Sequence, residues 1–583
     1  MEIILKSLTP LHIGNGSLLQ VSDYTVLNGR YIRINLRKAF EVVASHNKID
    51  AVLAKISEYT ERMNKEKNNL EQAKYRQKLD FFSICKEVYP LLSLDLAQKI
   101  NEISLYQIVS KLPEKENHKQ IDEQLKTADS QSYIPGSTIK GAFRTALLAS
   151  AIKKLTNSEK ADIISYIESL LSSYKRKEIN RDSAKKKLDD KLIEIVFNCG
   201  YKKNSTEKAR YNDVKYDLFK LIFISDSSTA NPESSLAVVK SRQFTLSKGL
   251  VDLHNPCEAI LPDINFSCDI NVDMNFLLVA KQNLFAINKL NKNDKYRFGV
   301  NVWIDIRDKI KRLFDIDLES IDENNKNDID QKIVTHLYSC CNKFYQAVLW
   351  HDRNWIERAN DRIGINELHG YLEKIYAQLE QLLQTGSILL KTGFGAGFHA
   401  KTVMLEMMLD DIPENKCLKD TLQKIFNTFD IGKQNKNGVP YTVNLEKFPT
   451  SRPLVHDTPI IDSFGWLLLH NPPLSDEQQK IIESIISLQT KLVPQKQGID
   501  VIPQRIKEKP KDAVLAQIID DSIKPPSVKI LEGKHLGSSV AMYGVKHLNA
   551  IGLEKGSSVW VRPLEVKKKL IKVDYIDIAR SLE

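Results

Sequence analysis

Lys140 and Arg144 stand four residues apart in YIPGSTIKGAFRTALL, residues 133–148, just after the Pro135-Gly136 break. On a helix that spacing puts both cations on one face of the first turns. The Ala- and Leu-rich run from Gly141 supplies the helix, and Ser137 or Thr138 can cap its first free N–H groups. Those N–H groups and the positive end of the helix dipole suit a phosphate. Gly141, beside Lys140, leaves room for a sugar-phosphate backbone or another strand. The same residues also describe a capped surface helix with two solvated cations. A nucleotide P-loop is excluded, because STIKGAF follows Gly136 where that motif needs its second Gly-Lys-Ser/Thr.

A second loop, KTGFGAGFHAKT from Lys391 to Thr402, sets Gly393, Gly395 and Gly397 at alternate positions around Phe394 and Phe398, with Lys391, His399 and Lys401 at its flanks. Glycines admit a close backbone approach, phenyl rings stack on bases, and lysines neutralise phosphates. A tight turn with both Phe rings in the core is the competing reading. The dinucleotide fingerprint fails, since Phe398 stands where its third glycine belongs.

Other constellations point to structure rather than chemistry. His336 and Cys340 share a helix face, and HNPC at 254–257 has Cys268 nearby in sequence, but neither group shows a third and fourth metal ligand. The run DIDLESIDENNKND from Asp315 starts like a calcium loop, then places Ser320 where glycine is required and Lys326 where the bidentate Glu belongs. Asp226, in ISDSS, reads as a turn or cap residue at a strand end.

The elements that must position these loops alternate in type. EIILKSLTPLHIGNG reads as a strand entering a glycine turn, and YIRINLRKAF continues in strand text. Apolar residues at three- and four-residue steps make residues 42–130 an inserted helical region, and a second insertion covers about 150–215. Within it, SSYKRKEINRDSAKKKLDDK carries eight basic and four acidic residues, as a solvated helix face does. Strand signals resume at DLFKLIFISDSS and continue to CEAILPDINFSCDINV. Residues 328–384 are helical, and SILLKTGFGAGFHAKTV reads as strand and glycine loop. Strands and helices in this order describe α+β units. VPQKQGIDVIPQRIKEKPKD reads as a linker, and the glycine-punctuated tail as a small β module.

At 583 residues the chain has room for two to four domains. Its 84 Lys and Arg against 74 Asp and Glu give a net charge of +10, which fits a polyanionic partner without requiring one. Seven scattered cysteines without a CxxC pair argue against a disulfide framework or zinc ribbon. No apolar run reaches transmembrane length and the N-terminus is not a signal peptide, so a soluble protein of the reducing cytoplasm is expected, with no membrane partner.

Five segments occur in order: TPLHIGNG (9–16), PGSTIKGAFRTAL (135–147), GFGAGFHAKT (393–402), FPTSRPLV (448–455) and FGWLLL (464–469). Together they resemble the RAMP superfamily of CRISPR-associated RNA-binding proteins. Within it they resemble the type III-A (Csm complex) subunit that caps the backbone filament near the 3′ end of the CRISPR RNA (crRNA). The resemblance runs from Met1 to about His470 and leaves the tail from about Pro473 unexplained. It implies an α+β fold of two ferredoxin-like, RRM-like domains with large helical insertions and a C-terminal extension. The expected divisions are 1–275, 276–490, a linker at 491–530 and a β module at 531–583.

Carried over, the RNA contacts fall on His12, Gly14, Gly16, Ser137, Thr138, Lys140, Arg144, Gly393, Gly395 and Lys401. The implied partners are crRNA, neighbouring Csm subunits and separate cellular nucleases that trim the RNA 3′ end in antiviral defence. No catalysis, metal or cofactor is implied. The alternative is a metal-independent ribonuclease of the same superfamily, with His12 or His399 shuttling protons and Lys140 stabilising the phosphorane.

Overall fold

The computed structural model describes every residue except 28, 113–118, 200–216, 247–248, 289–299, 364–365, 410–415, 432–433, 437–438, 442–444, 446–447, 458–459, 471–472, 490–513, 521–525, 532–533, 544–557, 567–568 and 579–583. Strands and helices mix as the α+β reading expects. Two compact units share the chain: Met1–Ser17 with Asp122–Val493, and Leu18–Ile121 with Pro494–Glu583. The division expected at residue 275 lies inside the first unit.

The first unit is organised by a five-stranded antiparallel sheet. Its strands are β1 (Glu2–Ser7), β2 (Ile222–Ile224), β3 (Asn265–Val272), β4 (Ile388–Lys391) and β5 (Trp466–His470), in the spatial order β4-β5-β1-β3-β2. Alternation in β1 buries Ile3, Leu5 and Ser7. In β5, Trp466 to Leu469 are all buried, as befits a strand flanked by β1 and β4. Helices α1 (Gly136–Lys153), α2 (Lys326–Ile363) and α3 (Asn366–Gln384) belong to the same unit, with α1 against α2 and α2 against α3 and β4. The helical text at 328–384 is therefore two helices. A second antiparallel sheet has the order Gly249–Val251, Ser241–Thr245, Ser451–Asp457, Ile460–Asp462.

In the second unit, strands Tyr24–Leu27, Arg30–Ile34 and Ser104–Ser110 form a meander. Six helices between Leu36 and Ile103 enclose a core that includes Val43, Phe81, Cys85, Leu92 and Leu96. The helical region expected to reach residue 130 thus ends at Ile103, where β-branched and aromatic residues take over in SLYQIVS. The tail strands are β6 (Val514–Asp520), β7 (Ser527–Ile530), β8 (Ser539–Tyr543), β9 (Ser558–Val566) and β10 (Lys569–Ile578), and they close into a barrel. Two of them lie within the stretch expected as linker at 491–530.

Candidate nucleic-acid interface

Strand direction brings the three glycine-bearing segments together. β1 and β4 each run antiparallel to β5, and β1 and β2 each run antiparallel to β3. β1, β2 and β4 therefore point the same way, and the chain leaves all three along one rim of the sheet, the one crossed by their C-terminal ends. β1 leads into the TPLHIGNG loop, β4 into the glycine loop, and β2 into Ser225 and Asp226, which meet the start of α1.

The first two loops are tied to each other. Phe394 donates its amide to the His12 carbonyl at 2.8 Å, Thr392 to the Gly465 carbonyl at 3.0 Å, and Gly465 to the Pro10 carbonyl at 2.9 Å. Glycine is needed for that approach. Gly393 has φ +76°, and a Cβ there would lie 2.6 Å from the His12 carbonyl oxygen. At Gly395 a Cβ would meet the Phe464 ring at 2.7 Å. The space that Gly393 and Gly395 leave is therefore filled by protein, whereas Gly16, at φ +86°, has nothing within 4 Å. Gly14 and Gly16 are both exposed.

Aromatic and imidazole groups of these loops face inward. His12 is 4% exposed, with Nδ1 2.6 Å from the Glu258 carbonyl oxygen. That contact makes Nδ1 the protonated nitrogen of a neutral ring, and burial lowers the pKa. The Phe394 ring sits edge-on to His12, His254 and Phe464. Phe398 sits edge-on to Phe448 at 5.0 Å. Both rings are half-buried, which supports the turn-and-core reading of the loop over base stacking. His399 is buried, its Nε2 3.1 Å from the Phe448 carbonyl oxygen, and its ring lies 4.0 Å from that of His351. Lys391 is consumed by Asp352, which also binds Arg452 and accepts from Tyr376.

The helix corner differs from its expected form in two ways. Its N-cap is Pro135, and Ser137 and Thr138 lie within the first turn without capping it. Instead Asp226 accepts the Gly136 amide at 2.8 Å, so a carboxylate of this chain already occupies part of the helix end. A Cβ at Gly136 would lie 2.3 Å from the Ile224 carbonyl oxygen, which is why glycine starts the helix there.

The two cations also turn inward. Lys140 donates to the Ile222 carbonyl at 2.6 Å and lies over the Phe219 and Phe223 rings; burial lowers its pKa. Arg144 pairs with Asp217 at 2.6 Å and stacks 4.2 Å over Phe197. Lys140 and Arg144 do share a helix face, but that face packs on β2 and the 217–219 turn. Gly141 has open space around it, and Ser137 is exposed with no partner for its hydroxyl among the described residues.

Lys401 completes the set. It lies on the 399–401 turn, which packs against α1; the residue is exposed, its ammonium has no partner among the described residues, and desolvation lowers its pKa. The edge thus presents Ser137, Lys401 and the exposed Gly14–Gly16 stretch, which begins the strand Gly14–Leu19 rather than forming the expected glycine turn. Sequence reasoning weighed Asp226 as a cap without linking it to Gly136, and it missed the Asp217 and Asp352 partners. Nothing local marks those pairings, which form between distant segments.

The metal-like groups remain pairs. Cys340 Sγ lies 3.5 Å from His336 Nε2, and no group of three or more metal-binding side chains occurs among the described residues. Asp317 caps the short helix 318–320 rather than opening a calcium loop. No described helix is long and apolar enough to cross a membrane.

The chain belongs to the RAMP superfamily, whose sequence pattern matches residues 4–398. Among individual proteins it is similar to the CRISPR system Cms protein Csm5 of Methanocaldococcus jannaschii, 24% identical over 473 residues, covering 80% of this chain and 88% of that one. It is also similar to a chain in the cryo-EM structure of a Csm-crRNA-target RNA ternary complex of a type III-A CRISPR-Cas system. There the TM-score is 0.49 at 20% identity, covering 80% of this chain and 100% of the other. For the crystal structure of T. onnurineus Csm5 the TM-score is 0.45 at 20% identity, covering 71% of this chain and 96% of the other.

Proposed function

We propose that this chain is a non-catalytic RNA-binding subunit of a type III-A CRISPR effector complex. It caps the backbone filament near the crRNA 3′ end and acts in the cytoplasm beside other Csm subunits. Trimming of the RNA end is left to separate cellular nucleases. The observation that carries the reading is the arrival of three segments at one sheet edge: the Gly14–Gly16 stretch, the α1 start and the glycine loop with Lys401. An open glycine at Gly16, the exposed Ser137 hydroxyl and the unpaired Lys401 ammonium suit a sugar-phosphate backbone, which is read without base preference. Similarity to the Methanocaldococcus protein supports the choice of complex.

Roles within the ten RNA-contact residues divide on this geometry. Gly14, Gly16, Ser137 and Lys401 meet the RNA. Thr138 lies beside Ser137 in the same turn. Gly393, Gly395 and His12 shape the loops, while Lys140 and Arg144 hold α1 in place. The non-catalytic reading rests on the two histidines: each is buried and held by a backbone carbonyl, and Lys140 is bonded to Ile222.

The test uses purified protein, labelled repeat-spacer RNA and EDTA, scoring gel shift and RNA integrity together. Lys401→Glu and Gly16→Glu should each weaken binding about fivefold or more with the RNA intact. Unchanged affinity in both variants would refute this placement. Discrete metal-free cleavage lost in His12→Ala would replace the proposal with the ribonuclease alternative.

A further inference from the structure

The C-terminal barrel lies beyond residue 398, where the superfamily match ends, and its topology is specific. Going round the barrel, the strands follow β6-β7-β8-β10-β9 and return to β6. Every neighbouring pair with a recorded direction is antiparallel except β8 with β10, which is parallel. In barrel order this is strands 1-2-3-5-4, with the third and fifth parallel. It is a Greek key closed by a fifth strand, the arrangement of the OB-fold. That architecture binds oligonucleotides on the face of its second and third strands and with the loop between its fourth and fifth.

Period-two alternation separates the two faces. Ala516, Ile518, Val528, Ile530, Met542, Val559 and Val561 form the interior. On β7 and β8 this leaves Ser527, Lys529, Ser539, Ala541 and Tyr543 on the outer face. Lys529 is exposed and sits opposite Ser539, and Ser527 sits opposite Ala541. Tyr543 is 43% exposed at the end of β8. At roughly 3.3 Å per residue, the four-residue step from Ser539 to Tyr543 separates the cation from the ring by about 13 Å along the strand. Only serine and alanine lie between them, so an extended chain can rest on the sheet.

Charge supports the same occupant. Residues 514–578 carry ten Lys and Arg against seven Asp and Glu, and the β9–β10 connection runs Val566-Lys-Lys-Lys569. A cation, an aromatic ring and a small-residue floor on the second and third strands of such a barrel suit stacked bases with a neutralised backbone.

We infer that the C-terminal barrel is a second nucleic-acid site, binding single-stranded RNA across β7 and β8 through Tyr543 stacking and Lys529 charge. This inference stands on the barrel alone and does not depend on the sheet-edge reading of the first unit.

The experiment crosslinks the full-length protein to a thiouridine-labelled single-stranded RNA and maps the modified peptides, then titrates binding at several salt concentrations. Wild type should crosslink within residues 527–543. Tyr543→Ala should remove that crosslink and weaken binding about fivefold, the lower range for one stacked base. Lys529→Gln should flatten the salt slope by about 0.7, the share of one phosphate contact on a single strand. Crosslinks confined outside 514–578 in wild type would overturn the inference, whatever the variants do to folding. If Lys401→Glu and Gly16→Glu both leave binding intact while the barrel crosslink persists, the sheet-edge reading fails and this one stands.

Discussion

The Phe394 amide donates to the His12 carbonyl at 2.8 Å, and Gly393 beside it leaves no room for a side chain against that same oxygen. One hydrogen bond and one missing Cβ thus join the N-terminal loop to the glycine loop. Gly393→Ala should destabilise the protein by about 2–4 kcal/mol, since it combines backbone strain with a clash against an immobile carbonyl. Gly16→Ala, strained but unobstructed, should lose only about 1–2 kcal/mol. Urea denaturation of the two variants checks the contrast, and equal losses would mean the loops are not in contact as described.

Arg144 and Asp217 should behave as a pair. Either change, Arg144→Ala or Asp217→Ala, is expected to lower stability by about 1–3 kcal/mol, with much less than additive loss in the double variant. A double-mutant cycle measures this. Additive losses would show that the guanidinium works mainly through its stacking on Phe197.

Gly141→Ala should raise stability by about 0.5–1 kcal/mol, because the site is helical, exposed and open to a methyl group. Thermal unfolding is the readout, and a loss would indicate an unfavourable contact made by that methyl.

The buried pair His351 and His399 should impose acid sensitivity. Burial pushes their pKa values down to about 3 and about 4, so the folded state keeps both neutral while the unfolded chain takes protons near pH 6.5. Their stabilisation is complete above that pH and is lost as pH falls through 6.5 toward 4, by about 1.4 kcal/mol per unit for each ring. The stability difference between wild type and His399→Gln, measured from pH 7.5 to 5, should shift in favour of the variant. A constant difference would contradict the buried neutral histidine.

Asp462 should show the opposite trend. Its carboxyl is fully buried and burial raises its pKa to about 8, so the folded state holds a proton that the unfolded chain has already released. Stability from this group is lost as pH rises toward 8. Asp462→Asn should therefore gain on wild type between pH 6 and 8.5 in the same assay, and a gain confined to acid pH would reverse the assignment.

Much of this was legible in residue order. The glycine loop at 393–397, the helix at 136–153 and the β character of the tail announced themselves through turn residues and periodicity, whereas the first two barrel strands were hidden in text that reads as linker. Side-chain destinations did not. Lys140 and Arg144 share a helix face as their spacing requires, yet spacing says nothing about whether that face meets solvent or a strand. Ile222, Asp217 and Asp226 decide it, and they are far away in sequence. Gly393 and Gly395 were readable as necessary glycines, but whether the space they leave receives ligand or protein depends on Phe464 and His12.

The Asn15 and Glu123 side chains bond at 2.9 Å, so the chain departs at Ser17 and returns at Asp122 through a narrow gate. Closing a loop costs only about 0.6 kcal/mol more for each doubling of its length. A gate of this kind tolerates cargo. Length changes confined to the turns between the helices from Leu36 to Ile103 carry little thermodynamic consequence for the five-stranded sheet of the first unit, none of whose strands lies in that segment. Size differences among proteins of this architecture are expected to accumulate there.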